Sequence, residues 1–382
     1  MLNVERIMKD PLMQPFLFKN GLEMRNRIVM APMTTWSAND DETISDAELA
    51  YYRARANGVG LVLTGCSHVQ RNGIGFTHEF AAYDDRFIPS LKRLADAAKS
   101  GGAPAILQLF HAGNKAVPAL IPDGDLVGAS ALAAPAGPFN DGKKAGRALS
   151  HDEILTVIRD FGEATRRAIE AGFDGVELHG AHGFLLQNFF SPYFNQRTDE
   201  WGGSLENRMR FPLEVAREVR RVIERHATQP FLLGYRLSPE ESGEKGLRID
   251  DSLALTNQLT EVALIDYLHI SLHHVLTDTP RDDEDEKSTL ARFIELNNGR
   301  LPILAAGKIT SSDVARQALD TGLSMVALGR AMVMNPQWVE RVQSGHEGSM
   351  NVKLNSSQDP DELQIPHKLW QAIQNTPGWF PS

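Results

Sequence analysis

The chain of 382 residues contains a single cysteine, Cys66. One thiol excludes an internal disulfide and any zinc or iron–sulfur site held by four protein thiolates, and it points to a reducing compartment. Also missing is any apolar run of about 18 residues, the length a bilayer-spanning helix needs. The N-terminal stretch Met1–Asp10 interrupts its apolar residues with Glu5, Arg6 and Lys9, unlike a signal peptide. A soluble, cytoplasmic protein is the expectation. Positive charge is in short supply: 39 Lys and Arg stand against 49 Asp and Glu, a formal net charge of −10. Nucleic acid and anionic membrane are therefore poor candidates for the main partner, and a small-molecule substrate is the better one. The acidic run Asp282–Glu286 reads as a solvated loop. No G-x-G-x-x-G follows a strand-like segment, and there is no P-loop, H-E-x-x-H or G-x-S-x-G, so a dinucleotide-binding fold, zinc proteolysis and the nucleophile-elbow hydrolases all lack their usual signals.

Short apolar runs that alternate with amphipathic helical segments fill the chain. The expected strands are Arg27–Met33, Val59–Thr64, Pro104–Leu109, Gly175–His179, Phe231–Leu237, Tyr267–Ser271, Pro302–Ala306 and Met325–Leu328. Several are apolar at nearly every position, the pattern of parallel strands buried on both faces. Ser150 with Glu153 forms a capping box before a helix that Gly172 ends, and Thr310–Asp313 opens another that Gly322 closes. A third helix is expected from about Ser204 to His226, with Pro212 kinking or breaking it. Polar residues gather at or just past strand C-termini: Thr34, Cys66–His68, Gln108, His111, His179, His182, Arg236, Ser271, Gly307–Lys308 and Gly329–Arg330. In a closed barrel those ends converge on one face, where active sites sit. The expectation is one (β/α)8 barrel over residues 1–345. It carries an N-terminal hairpin between Leu12 and Asn26, an insertion at 111–149 after the third strand that acts as a lid, and a C-terminal extension at 346–382 that packs on the barrel or on a second subunit.

Chemistry can be read from three groups of residues. Gly307–Lys308 and Gly329–Arg330 each place a glycine at a strand end before a base, an arrangement that suits a phosphate after the last two barrel strands. His179 and His182, three apart in a turn, can donate to a carbonyl or phenolate oxygen, serve structure, or hold a metal. Metal binding wants a third protein ligand, and none stands at matching spacing. Gln108 and Arg236 suit the edge of a planar heterocycle bearing carbonyls and ring nitrogens. Alternatively, Gln108 is a satisfied interior amide and Arg236 pairs with Glu177.

The stretch Glu177–Gly183, continuing through Ser191–Pro192 and Arg197–Arg208, resembles the Old Yellow Enzyme family, as do Asn26–Thr34, Gln108–Gly113 and Gly329–Ala331. The matches run in family order from about residue 15 to 340. The resemblance implies non-covalent FMN on the barrel, with NAD(P)H as a transient hydride donor and homo-oligomers as a possibility. Carried over by position, Ala31, Pro32, Met33 and Thr34 would line the flavin, and the Cys66 backbone would lie near O4. Gln108 and Arg236 would meet the pyrimidine end, while Gly307, Gly329 and Arg330 would hold the phosphate. His179 and His182 would grip a substrate carbonyl oxygen, with Trp36, Phe110 and Phe184 as apolar walls. The implied reaction moves hydride from NAD(P)H through flavin N5 to an α,β-unsaturated carbonyl compound.

Phe184 departs from the family pattern, because enone-reducing members commonly carry tyrosine there as the proton donor. Water, Tyr193 or Tyr83 are the substitutes the sequence offers. Otherwise the enzyme is an NAD(P)H oxidase or diaphorase acting on quinones, dyes or oxygen, and a metal-dependent barrel lyase or hydrolase using His179 and His182 is a more distant alternative. With one cysteine and only a short stretch after Arg341, neither the iron–sulfur site nor the further nucleotide domain of dienoyl-CoA reductase relatives is expected.

Overall fold

A computed structural model describes residues 9–281, 286–354 and 357–381. The acidic run at 282–285 and the N-terminal residues 1–8 lie outside the described residues. Eight strands form a closed parallel barrel: β1 (Ile28–Met30), β2 (Leu61–His68), β3 (Ala105–Phe110), β4 (Gly175–Gly180), β5 (Leu232–Leu237), β6 (Tyr267–Ser271), β7 (Ile303–Ala306) and β8 (Met325–Leu328). They neighbour one another in chain order, and β8 closes on β1 with Ala327 opposite Val29. Every residue of β2 to β5 is buried, which is why their sequences run apolar instead of alternating. Each of the eight expected strands is therefore a barrel strand. Helices Asp46–Arg55, Ile88–Ala98, His151–Glu170, Leu205–His226, Ile249–Glu261, Thr289–Asn297 and Ser312–Asp320 connect successive strands.

Local chemistry sets the element ends. Ser45 with Glu48, and Ser150 with Glu153, make reciprocal capping boxes, while Ser311 caps through Val314 N. β1 stops at Met30 rather than Met33, because Pro32 has no N–H to give a ladder. β2 runs on to His68, beyond the expected Thr64, because its pairing with β3 slips by a bulge between Leu63 and Cys66. Pro212 does not break its helix, which runs unbroken from Leu205 to His226. Proline removes one i→i−4 bond there, and the burial of Met209, Phe211, Pro212 and Leu213 outweighs that loss. Two interior glycines are obligatory: a Cβ on Gly234 would lie 2.1 Å from Tyr267 Cζ, and one on Gly180 would lie 2.4 Å from Tyr235 Oη.

The hairpin Phe16–Leu17 with Glu23–Met24 plugs the N-terminal end of the barrel. Phe18, Leu22 and Met24 form one cluster with Val29, Leu61, Ile106, Leu232, Tyr267, Leu304 and Met325, which point inward from seven of the strands. At the opposite end, the segment between β3 and β4 carries a small parallel pair, Val127–Gly128 with Arg147–Ala148. After β8 come the helices Arg330–Met334 and Trp338–Ser344, then a tail with the helix His367–Gln374, whose Leu369 and Ile373 are buried.

Arg55 fastens that tail. Its guanidinium is fully buried with no carboxylate partner among the described residues, and it donates to five backbone carbonyls, those of Tyr51, Met332, Val333, Leu363 and Gln364. Burial lowers its pKa to about 10, so it stays charged at neutral pH. Replacing it strands several buried acceptors, each worth roughly 1–3 kcal/mol. Arg55→Leu is therefore expected to lose at least about 3 kcal/mol of unfolding free energy, and limited proteolysis should cut first in the residues after Ser344. Wild-type stability and an uncut tail would contradict this anchoring.

Candidate active site

A cavity of about 380 Å³ opens at the C-terminal ends of the barrel strands, within the usual size range for small-molecule sites. Pro32, Met33 and Thr34, which leave β1 after its ladder ends, form one wall with Trp36. Cys66 from β2, Gln108 from β3 and Arg236 from β5 reach it from neighbouring strands. His179, His182 and Phe184 come from the turn after β4. Ala31 is buried behind this wall. Gly307, Gly329 and Arg330 do not line the cavity but stand at the ends of the adjacent strands β7 and β8. Gly329 backs directly onto it, because a Cβ there would lie 3.2 Å from Met33 Sδ. Arg330 Nη1 donates to the Trp379 carbonyl at 2.7 Å.

Beneath the cavity, Glu177 is a fully buried carboxylate. It accepts from Gln108 Nε2 at 2.8 Å, from Tyr267 Oη at 2.9 Å, and lies 3.0 Å from His269 Nδ1. Burial works to raise its pKa, but His269, then Arg236 and Gln108, hold it below the ordinary carboxylate value. Arg236 does not pair with Glu177 directly. Its Nη2 donates to Ser271 Oγ at 3.1 Å, while its Nε is buried with no hydrogen-bond partner. An unpartnered charged donor at the floor of a cavity is costly unless a bound group satisfies it. Both readings of Gln108 meet here, since its amide is held by Glu177 and it also lines the cavity.

The imidazoles of His179 and His182 lie edge to face with ring centroids 5.0 Å apart. His182 takes a left-handed backbone, φ 57°, and its N–H donates to Ser238 Oγ at 3.0 Å, which fixes the turn. His179 Nδ1 accepts from Ala181 N at 3.2 Å, leaving Nε2 to carry the proton. His182 Nε2 lies 2.8 Å from Ser271 Oγ, so one hydroxyl bridges His182 and Arg236. Burial, then His182 and Arg236, pushes His179 well below its ordinary pKa; burial, then Arg236 and Lys115, does the same to His182, although its edge stays open to solvent. Both are neutral at neutral pH and able to donate one N–H each. Among the described residues no group of three His, Cys, Asp or Glu side chains gathers to hold a metal ion.

Several cavity residues escaped the sequence reading. Phe76, Phe139 and Trp379 pack around the expected Trp36, with ring centroids 5.2–5.6 Å from it, and complete an aromatic roof. Pro135 and Gly137–Asn140 bring the segment after β3 over the same opening. Lys115 Nζ donates to the His182 carbonyl at 2.6 Å and sits 5.6 Å from the Phe184 ring centroid. Burial lowers its pKa, with Glu241 opposing. Lys115 follows the Gln108–Gly113 block closely and was within reach of the motif reading, whereas nothing local marks Trp379. Of the two tyrosines, Tyr83 points at Glu42 and Tyr193 is on a neighbouring cavity with His182 and Lys115, so neither lines this one.

The family model for "NADH:flavin oxidoreductase / NADH oxidase family" matches residues 11–348. The chain belongs to this family. It is 43% identical over 371 residues to the probable NADH-dependent flavin oxidoreductase YqiG of Bacillus subtilis (strain 168), covering 97% of this chain and 98% of that protein. It is 38% identical to the NADH:fumarate oxidoreductase of Klebsiella pneumoniae (strain 342), covering 95% of this chain but 39% of that much longer protein. Morphinone reductase, solved in complex with tetrahydroNAD, superposes with a TM-score of 0.75 at 29% identity, over 92% of this chain and 93% of that one. FMN is the cofactor and NAD(P)H the hydride donor. The residues present fit FMN: the orphaned Arg236 Nε meets the need of an electron-rich pyrimidine edge, and the Gly329 backbone lies against the cavity wall without a side chain.

The neutral state of His179 has a thermodynamic consequence. Its folded pKa lies below the unfolded value of about 6.5, so below that pH the unfolded chain binds more protons and stability falls as pH drops. Urea unfolding at about pH 7 and about pH 5.5 is expected to show a smaller acid loss in His179→Asn than in wild type. Equal losses would show that His179 is not held neutral.

Proposed function

We propose that this chain is an NAD(P)H-dependent flavin oxidoreductase whose acceptor is an α,β-unsaturated carbonyl compound. The observation that carries the reading is the pair of neutral imidazoles aimed into a cavity whose floor holds an unsatisfied arginine donor. FMN, when bound, would supply the hydride chemistry between NAD(P)H and the acceptor.

In this reading Arg236 and Gln108 sit at the pyrimidine end, where the cation stabilises negative charge that builds there. Ala31, Pro32, Met33 and Thr34 flank the ring, and the Cys66 backbone lies near O4. Gly307, Gly329 and Arg330 hold the phosphate, with Arg330 exchanging its bond to the Trp379 carbonyl for the anion. His179 and His182 donate N–H groups to the acceptor's carbonyl oxygen and stabilise it as charge develops, while their own neutrality avoids repulsion from Arg236. Trp36, Phe184 and Trp379 shape the apolar wall and exclude water. The relative named for fumarate also acts on a carbon–carbon double bond conjugated to a carboxyl group, which supports this acceptor class.

A second reading is an NAD(P)H oxidase or diaphorase that reduces quinones, dyes or oxygen. Phe184 favours it, because a phenyl ring buried against His179, at 4.9 Å between centroids, has no proton to give the α-carbon.

Purified protein is expected to be yellow and to release FMN on denaturation; colourless protein that stays colourless after incubation with FMN would end both readings. With cyclohexenone as acceptor, Phe184→Tyr should raise turnover roughly tenfold or more relative to flavin reduction by NADH, as an added general acid can. No gain would remove the reading in which a missing acid at position 184 limits turnover.

A further inference from the structure

A chain of buried titratable groups, used by nothing described so far, ends in the same cavity. Cys66 lines the cavity and packs in one apolar cluster with Phe110 and Phe184. Its thiol donates to Glu79 Oε2 at 4.0 Å, and Glu79 Oε1 lies 2.6 Å from His68 Nδ1. His68 Nε2 lies 2.9 Å from Glu42 Oε1, and Glu42 Oε2 accepts from Tyr83 Oη at 2.5 Å. Arg86 Nη2 donates to Tyr83 Oη at the exposed end. His68 and Glu79 are buried, whereas the Glu42 side chain is 24% exposed, so the chain runs from the cavity wall through the interior to the surface.

One carboxylate would suffice to satisfy a buried histidine. Two, placed on opposite ring nitrogens and linked onward at both ends, make a conduit. We propose that Cys66, Glu79, His68 and Glu42 are a proton relay that delivers a solvent proton to the acceptor's α-carbon, in place of the phenol absent at position 184. This rests on the ene-reductase reading above.

The protonation states suit the task. Burial pulls His68 down, but Glu79 and Glu42 outweigh it and set its pKa at about 9. Burial pushes Glu79 up to about 7, with His68 opposing. Burial and then Glu79 push the Cys66 thiol up, so it keeps its proton until a stronger base appears. The other charged or titratable neighbours are Arg86 beside Glu42, Arg236 facing Cys66, and His111, which burial and then His68 lower to about 3. The balance is one hydride and one proton added across a C=C bond. The hydride that originates on NAD(P)H forms the β-carbon–hydrogen bond and drives the π pair toward the α-carbon and carbonyl. That pair takes the Cys66 proton as the S–H bond breaks, leaving its electrons on sulfur. The thiolate regains a proton from Glu79, Glu79 from His68, and His68 from solvent by way of Glu42 and Tyr83. NAD(P)H is oxidised and the acceptor reduced.

The test compares cyclohexenone, which must be protonated on carbon, with menadione, whose oxygens exchange protons with water directly. Cys66→Ala in the FMN-loaded enzyme is expected to lower the cyclohexenone-to-menadione rate ratio by roughly 10²-fold, whereas Cys66→Ser, which keeps an exchangeable proton, should hold it within about tenfold. Because Cys66 is the only cysteine, its S–H stretching band is unambiguous in the infrared. After transfer to D2O that band should disappear at least about tenfold more slowly in Glu79→Gln than in wild type. An unchanged rate ratio in Cys66→Ala, or an unchanged S–H exchange rate in Glu79→Gln, overturns the relay. Wild-type enzyme that reduces menadione but not cyclohexenone instead overturns the ene-reductase reading, and the relay loses its acceptor with it.

Discussion

The carboxylate of Glu177, closed inside the barrel, is the constraint around which the cavity floor is organised. An ionised carboxylate without water is tolerated only when its oxygens are filled and a countercharge is near. Gln108 from β3 and Tyr267 and His269 from β6 fill them, and Arg236 supplies charge without direct contact. Each of those demands fixes something above it. Gln108 is pinned by its amide nitrogen. Tyr267 requires glycine at 234 to pass, and Arg236 is left to reach Ser271 and, with its Nε, the cavity. Ser271 in turn meets His182. A single negative charge thus orients, through at most two contacts, the arginine and one of the two histidines that the proposed chemistry needs.

The barrel was legible because burial on both faces leaves an apolar signature that needs no partner to be recognised, and the capping box at Ser150 and the cap at Ser311 are local by nature. The polar residues at strand ends were legible for a related reason: a barrel forces those ends together, so Gln108, His179 and Arg236 meet although more than 50 residues separate each from the next. Hidden features are the ones set by distant contacts. The extension of β2 depends on a bulge against β3, and the continuity through Pro212 depends on what its helix packs upon. Trp379 is the extreme case. Its place in the roof follows from Arg55, far earlier in the chain, gripping the carbonyls of residues 363 and 364 and bringing the tail back across the barrel mouth. No periodicity or motif encodes a link of that kind.

Kinship and geometry answer different questions. The family, and near-complete alignment with a flavin oxidoreductase of similar length, give the cofactor and the hydride donor. Alignment with 39% of a longer fumarate-directed protein says that a barrel of this type also works as one part of a larger machine. The acceptor belongs to the cavity. In the proposed reading the aromatic roof favours a flat, apolar molecule, and the neutral histidines favour one with an oxygen on which charge builds.

Separating those two demands, oxygen and proton, gives Phe184 its meaning. A tyrosine at that position would polarise the cavity and deliver a proton from the same wall that holds the histidines. A phenyl ring there leaves the wall apolar, meets His179 edge to face and carries the Lys115 ammonium over its face. The ring adds apolar surface against His179, which is held neutral, and leaves proton supply to another wall. Cys66 borders the same apolar cluster and alone there connects to a buried acid and a histidine that reach the surface. In the proposed relay a site that loses its phenol while keeping its oxygen grip stays competent for carbon reduction because protons arrive by such a route, and the side of the cavity they enter from then sets which face of the α-carbon receives hydrogen.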